Sequence, residues 1–118
     1  MQDQLIQYMD EFGNCDQKQL TFVTEEKIFE MYRLMVLTRS WNTRALNLQR
    51  QGRMGTLASV RGQEAANVGM GMAMAKNDWF LPAFREYGSL FTLGVPLKDQ
   101  FLYWVGDERG ARLPDSIN

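Results

Sequence analysis

The stretch EEKIFEMYRLMVLTRSWNTRALNLQRQ, Glu25 to Gln51, contains neither glycine nor proline. Nothing in it interrupts a backbone hydrogen-bond ladder, so it is predicted as one long helix. Thr24 offers a hydroxyl to cap free N–H groups at its start, and Glu25 and Glu26 complement the positive end of its dipole. Gly52 stands at the C′ position that ends such a helix. Ile28, Met31, Met35, Thr38, Ala45 and Gln49 fall on one face, and Arg33, Ser40, Arg44, Asn47 and Gln51 on a polar side. Between Phe29 and Leu37 the helix is apolar almost all the way round, which predicts burial on more than one side and hence a partner surface.

The glycines and small residues gather in the next stretch, Gln51 to Leu90. Gly52, Gly55 and Gly62 frame a loop, MGTLASV, with few charges, expected to pack into an interface or cleft. A second helix is predicted from Gly62 to Ala75, its alanines and glycines alternating with Met70, Met72 and Met74. Gly69 and Gly71 each cost about 1 kcal/mol of helix stability relative to alanine, which points to close approach of another backbone. Asn77 and Asp78 supply a turn, and Trp79 to Phe84 is apolar and aromatic enough to be a buried strand that stops at Arg85. Glu86 to Leu93 then reads as a short helix closed by Gly94. Pro96 opens another, PLKDQFLYWV, with Leu97, Phe101, Trp104 and Val105 on one face and Gly106 at its end. The tail GDERGARLPDSIN has the composition of a loop. At the other end, Leu5 to Met9 is a candidate extended segment and Asp10 to Asn14 a turn. Residues 1–23 are thus a lead-in to a single domain over 24–118, of α/β class, mostly helical with one strand.

With no histidine and a single cysteine, Cys15, the chain has no intrachain disulfide, no His/Cys zinc pattern and no Ser-His-Asp or Cys-His machinery. Acid–base chemistry by this chain alone would fall to Asp, Glu, Lys or Tyr. No catalytic residue and no metal ligand is assigned. No run is long and apolar enough for a membrane span, and the acidic N-terminus reads as neither secretory signal nor transit peptide, so a cytoplasmic chain is expected. A net charge of -1 hides a division: residues 1–30 hold seven acids against two lysines, whereas Met31 to Arg61 holds six arginines and no acid. Those arginines are spread along a helix and the pI is near 5.4, so they are expected to reach acidic neighbours in the same or another subunit in preference to nucleic acid. No GxGxxG opens a helix after a strand, and no Walker sequence is present.

Four blocks in order, RLMVLTRSWNTRALNLQRQGRMG, RGQEAANVGMGMAM, DWFLPAFREYG and GVPLKDQFLYWVGDERGARLP, carry the sequence further. Over about residues 24 to 118 the chain resembles the N-terminal part of the E1 alpha subunits of 2-oxoacid dehydrogenase complexes, most closely the bacterial pyruvate dehydrogenase type. The resemblance implies a thiamine-diphosphate-binding fold and an alpha2beta2 heterotetramer, with the cofactor held between an alpha and an E1 beta subunit. It implies decarboxylation of a 2-oxoacid substrate and acyl transfer to the lipoyl group of E2, with pyruvate, a branched-chain acid or acetoin as possible substrates.

On the same resemblance, Arg85 matches the arginine of a Tyr-Arg pair that grips the diphosphate, and Phe84 takes the tyrosine's place. A planar guanidinium can give two hydrogen bonds to phosphate oxygens. Gly62, Gln63 and Glu64 match the family's GQE, where the acid orders the fold or an interface; Thr56, Leu57 and Ala58 depart from the usual pocket-lining residues. The GDG and Asn-Asn signature that carries Mg2+ is missing, and GDE at Gly106 to Glu108 does not replace it. The expectation is therefore a partial E1 alpha, inactive by itself, whose exposed apolar surface makes it oligomerise. The rival is a helical interaction module that docks a beta subunit without catalysis.

Overall fold

The computed structural model describes residues 6–15 and 20–114. The long helix is α1, Glu25–Arg50, and Thr24 caps it by accepting the Lys27 N–H. At its other end Gly52 takes φ 69°, the Gly52 N–H donates to the Gln49 carbonyl and the Arg53 N–H to the Leu48 carbonyl. That is a Schellman motif, and it reappears after α3, Tyr87–Thr92, and α4, Leu97–Trp104, with Gly94 and Gly106 in the same role. Three helix ends read from glycine are thus found where expected. α2 spans Glu64–Ala73, shorter at both ends than the predicted Gly62 to Ala75.

The core lies where α1, α2 and α3 cross. Leu34, Thr38, Trp41, Asn42 and Ala45 are the buried residues of α1, on a 3.6-residue period. This stripe is rotated from the predicted one: Thr38 and Ala45 belong to both, but Ile28 is exposed. Trp41 lies against Tyr87 and Phe91 of α3 and Phe101 of α4, with ring centroids 4.7, 5.6 and 5.3 Å away. The loop after α1 contributes Met54, Leu57 and Val60 to the same core, so it packs inward as its low charge suggests.

Close approach decides which glycines matter. A Cβ on Gly71 would lie 2.8 Å from the Thr92 Cβ and 3.2 Å from the Ser89 Cα, so α2 and α3 touch almost backbone to backbone there. Gly69 faces open space, contrary to the expectation of two such contacts.

The strand predicted over Trp79 to Phe84 does not form. The described residues contain no sheet, and their single bridge joins Met9 to Cys15 across the Asp10–Asn14 turn; Leu5, the start of the extended segment expected there, lies outside the described residues. Trp79 to Phe84 runs without regular structure, with Trp79 77% and Leu81 87% exposed. Two physical reasons account for this. No second extended segment lies beside it among the described residues, and Pro82 offers no N–H to a ladder. The Glu86 carboxylate also takes the Ala83 and Arg85 N–H groups, both at 3.0 Å, diverting donors that a strand would use.

Three further expectations are revised. The tail after Gly106 is not wholly loop, since Glu108–Gly110 forms a 3-10 turn packed on α4. On α4 the apolar face is displaced: Gln100 is the buried residue, with Phe101 and Trp104 partly buried, while Leu97 and Val105 are exposed. The segment Phe29 to Leu37, expected to be covered on several sides, is covered on one: Leu34 is buried, whereas Phe29, Tyr32 and Val36 are exposed. No helix among the described residues is long and apolar enough to cross a membrane.

Candidate functional site

The chain from Pro82 into α3 forms one wall of a cavity of about 190 Å3, and α4 with the 3-10 turn forms the other. Phe84, Arg85, Glu86, Gln100, Tyr103 and Trp104 are among its lining residues. α3 is fixed there by Tyr87, which is 2% exposed. The Tyr87 hydroxyl lies 3.0 Å from Asn42 Oδ1 and 2.5 Å from the Ala58 carbonyl oxygen, and burial pushes its pKa up to about 12. Asn42 Oδ1 also accepts the Val60 N–H at 3.1 Å, so one polar knot ties α1, the following loop and α3 together.

Arg85 therefore leaves a rigid support. Its side chain is partly buried, and its Nε is fully buried with no hydrogen-bond partner. The guanidinium Cζ stands 5.3 Å from the centroid of the Phe84 ring, a cation–π contact in which Phe84 itself is 60% exposed. Thus Phe84 and Arg85, singled out in the sequence, meet on one cavity wall, although neither stands on a strand. An unpartnered buried N–H costs about 1–3 kcal/mol, so the Arg85 Nε is a donor that the described chain leaves unsatisfied. Glu86 does not satisfy it, because both recorded bonds to its carboxylate come from backbone N–H groups.

Size limits what can enter. Pockets for whole small molecules run to about 300–1,000 Å3, so this cavity suits a phosphate-sized anionic end and not a complete cofactor. Among the described residues no group of three or more His, Cys, Asp or Glu could hold a metal ion.

Glu64, the acid of the GQE sequence, sits elsewhere. It is 7% exposed at the start of α2, pairs through Oε1 with Arg39 Nε on α1, and accepts the Gly62 N–H at 2.9 Å through Oε2. The Arg39 hydrogen bond holds its pKa down to about 2, well below the usual carboxylate value. A catalytic base would be free to accept a proton; this carboxylate is committed to joining two helices. A lowered folded-state pKa means stabilisation that is complete above the unfolded value of about 4.5 and is lost as pH falls toward 2. With Arg39 half exposed and screened by water, this loss is expected to be about 1–2 kcal/mol. Denaturant titrations between pH 6 and 2.5 check it, and Glu64→Gln should flatten that part of the pH dependence.

Of the other residues named from the sequence, Leu57 is buried in the core and Ala58 serves Tyr87 through its carbonyl, so neither lines the cavity. Gln100, Tyr103 and Trp104 were not singled out as site residues from the sequence, where Trp104 was placed only on the apolar face of its helix. The signal for Gln100 was its place one residue before Phe101 on α4, whose buried face was expected to carry Leu97, Phe101, Trp104 and Val105.

The described residues form a helical unit with a partly buried arginine on a cavity wall, and comparison supplies the family. The family model described as "Dehydrogenase E1 component" matches residues 32–115, and the chain belongs to that family. It is similar to the "Pyruvate dehydrogenase E1 component subunit alpha" of Acholeplasma laidlawii, 45% identical over 93 residues, which cover 79% of this chain and 27% of the relative. It is also similar to the proteins of that name from Staphylococcus aureus (strain Mu50 / ATCC 700699) and Staphylococcus epidermidis, each 34% identical over 116 residues, 98% of this chain and 31% of the relative. The chain thus spans less than a third of the length of the curated relatives it matches.

Proposed function

We propose that this chain is the opening portion of a pyruvate dehydrogenase E1 alpha subunit and that Arg85, braced by Phe84, holds the diphosphate of thiamine diphosphate. The observation that carries the reading is the buried, unpartnered Arg85 Nε on the wall of a phosphate-sized cavity. The family match and the named relatives support it. Residues 24–118 are then the first part of a thiamine-diphosphate-binding domain. When bound, thiamine diphosphate supplies the carbanion chemistry for decarboxylating a 2-oxoacid. This chain's own share is to hold the phosphate end and to exclude water with Trp104 and Tyr103. Ligands for Mg2+ come from outside this chain in this reading, as do the rest of the cofactor pocket, the E1 beta subunit of an alpha2beta2 assembly and the lipoyl-bearing E2. The setting is cytoplasmic.

The test uses a subunit extended to the relatives' full length, assembled with its beta subunit, thiamine diphosphate and Mg2+. Pyruvate should turn over; no turnover with pyruvate, a branched-chain 2-oxoacid or acetoin refutes the reading. Arg85→Ala in that assembly should weaken thiamine diphosphate binding by calorimetry about tenfold to a hundredfold, the worth of a charged hydrogen bond to phosphate. A second reading, a docking module without catalysis, is favoured by the exposed Phe29, Tyr32 and Val36 on α1. It predicts capture of the beta subunit by the 118-residue chain with no cofactor bound.

A further inference from the structure

The arginine block that runs from α1 into the following loop is mostly unspent. Of the six arginines between Met31 and Arg61, Arg39 is the one with an ion pair among the described residues. Two of the others, Arg44 and Arg53, join Lys98 around a second, open groove of about 530 Å3 between the end of α1 and α4. Its apolar lining is Leu48, Phe101, Leu102 and Val105, and no acid among the described residues lines it. Three cations round an apolar trough fit an acidic segment that also carries apolar side chains.

The same chain contains such a segment. The lead-in, residues 1–23, holds four acids against one lysine, and in its described part Ile6, Met9 and Phe12 are exposed beside Asp10 and Glu11. None of these residues lines the groove of its own chain. We propose that the acidic lead-in of one copy docks in the Arg44–Arg53–Lys98 groove of a second copy, and reciprocally, giving a two-fold dimer held by charge over an apolar floor. Reciprocal exchange closes the assembly at two, because each copy then fills the groove of the copy whose lead-in it receives and no groove is left for a third. This inference does not depend on the role of Arg85.

Sedimentation velocity on the 118-residue chain tests it. At low salt, about 50 mM, the chain should be a dimer, and about 500 mM salt should dissociate it as the Debye length shortens. Arg44→Glu with Lys98→Glu should weaken dimerisation at least tenfold. Asp10→Asn with Glu11→Lys should do the same, the asparagine keeping the side-chain oxygen that accepts the Phe12 and Asn14 N–H groups of the turn. Mixing the two variants should restore a dimer, because the reversed lead-in now meets a reversed groove and the native lead-in a native one. Far-UV circular dichroism should show each variant as helical as the parent. A parent that is monomeric at low salt, a dimer that survives reversal at Arg44 and Lys98, or a mixture that stays monomeric overturns the proposal.

Discussion

A Trp41→Ala chain is expected to lose about 3–5 kcal/mol of stability, a large part of the ~5–15 kcal/mol that holds a typical domain together. Trp41 is 3% exposed and its ring is the one that touches α3 and α4 at once, through Tyr87, Phe91 and Phe101. Its removal leaves a cavity that three separate elements would have to collapse to fill. The loss should fall toward the lower figure, because the indole Nε1 is buried without an acceptor and the substitution removes that cost. Urea unfolding followed by circular dichroism measures the change. A loss under about 1 kcal/mol would mean that the crossing of α1 with α3 and α4 is not the centre of the structure.

Gly110→Ala is the second large effect, expected to cost about 3 kcal/mol locally. A Cβ there would lie 2.1 Å from the Tyr103 backbone nitrogen and 2.6 Å from the Asp99 carbonyl oxygen. Neither atom can yield without breaking α4, so the 3-10 turn must lift away. Gly110, Ala111 and Leu113 line the cavity beside Arg85, and lifting the turn opens that wall. Hydrogen exchange should then quicken in the last turn of α4 and in residues 107–113, with α1 still protected. Cleavage by trypsin at Arg109 and Arg112 should quicken as well. Unchanged exchange and cleavage would show that the turn does not press on α4.

The helices and their ends were legible in the sequence because they depend on neighbours along the chain. A hydroxyl before two acids, a run free of breakers and a glycine able to take positive φ are local facts, and α1 begins and ends accordingly. The burial pattern was legible only in part. Thr38 and Ala45 were placed inward correctly, but Leu34, Trp41 and Asn42 define the stripe, and which of several apolar faces is covered depends on what α2 and α3 bring to it. Trp79 to Phe84 shows the limit most clearly. Its composition is that of a strand, yet a strand is a relation between two segments, and the carboxylate of Glu86 competes for its donors.

By itself the sequence determined where α1, α3 and α4 end, the absence of histidine chemistry, the opposed charges of lead-in and α1, and the ordered blocks that resemble E1 alpha subunits. Only the tertiary structure decided that Arg85 lines a cavity and leaves its buried Nε without a partner, that Glu64 is tied to Arg39, and that three cations rim an apolar groove. The physical reason is distance along the chain. Arg39 and Glu64, or Arg44 and Lys98, are brought together by helix packing, and no local preference of the residues between them encodes that meeting.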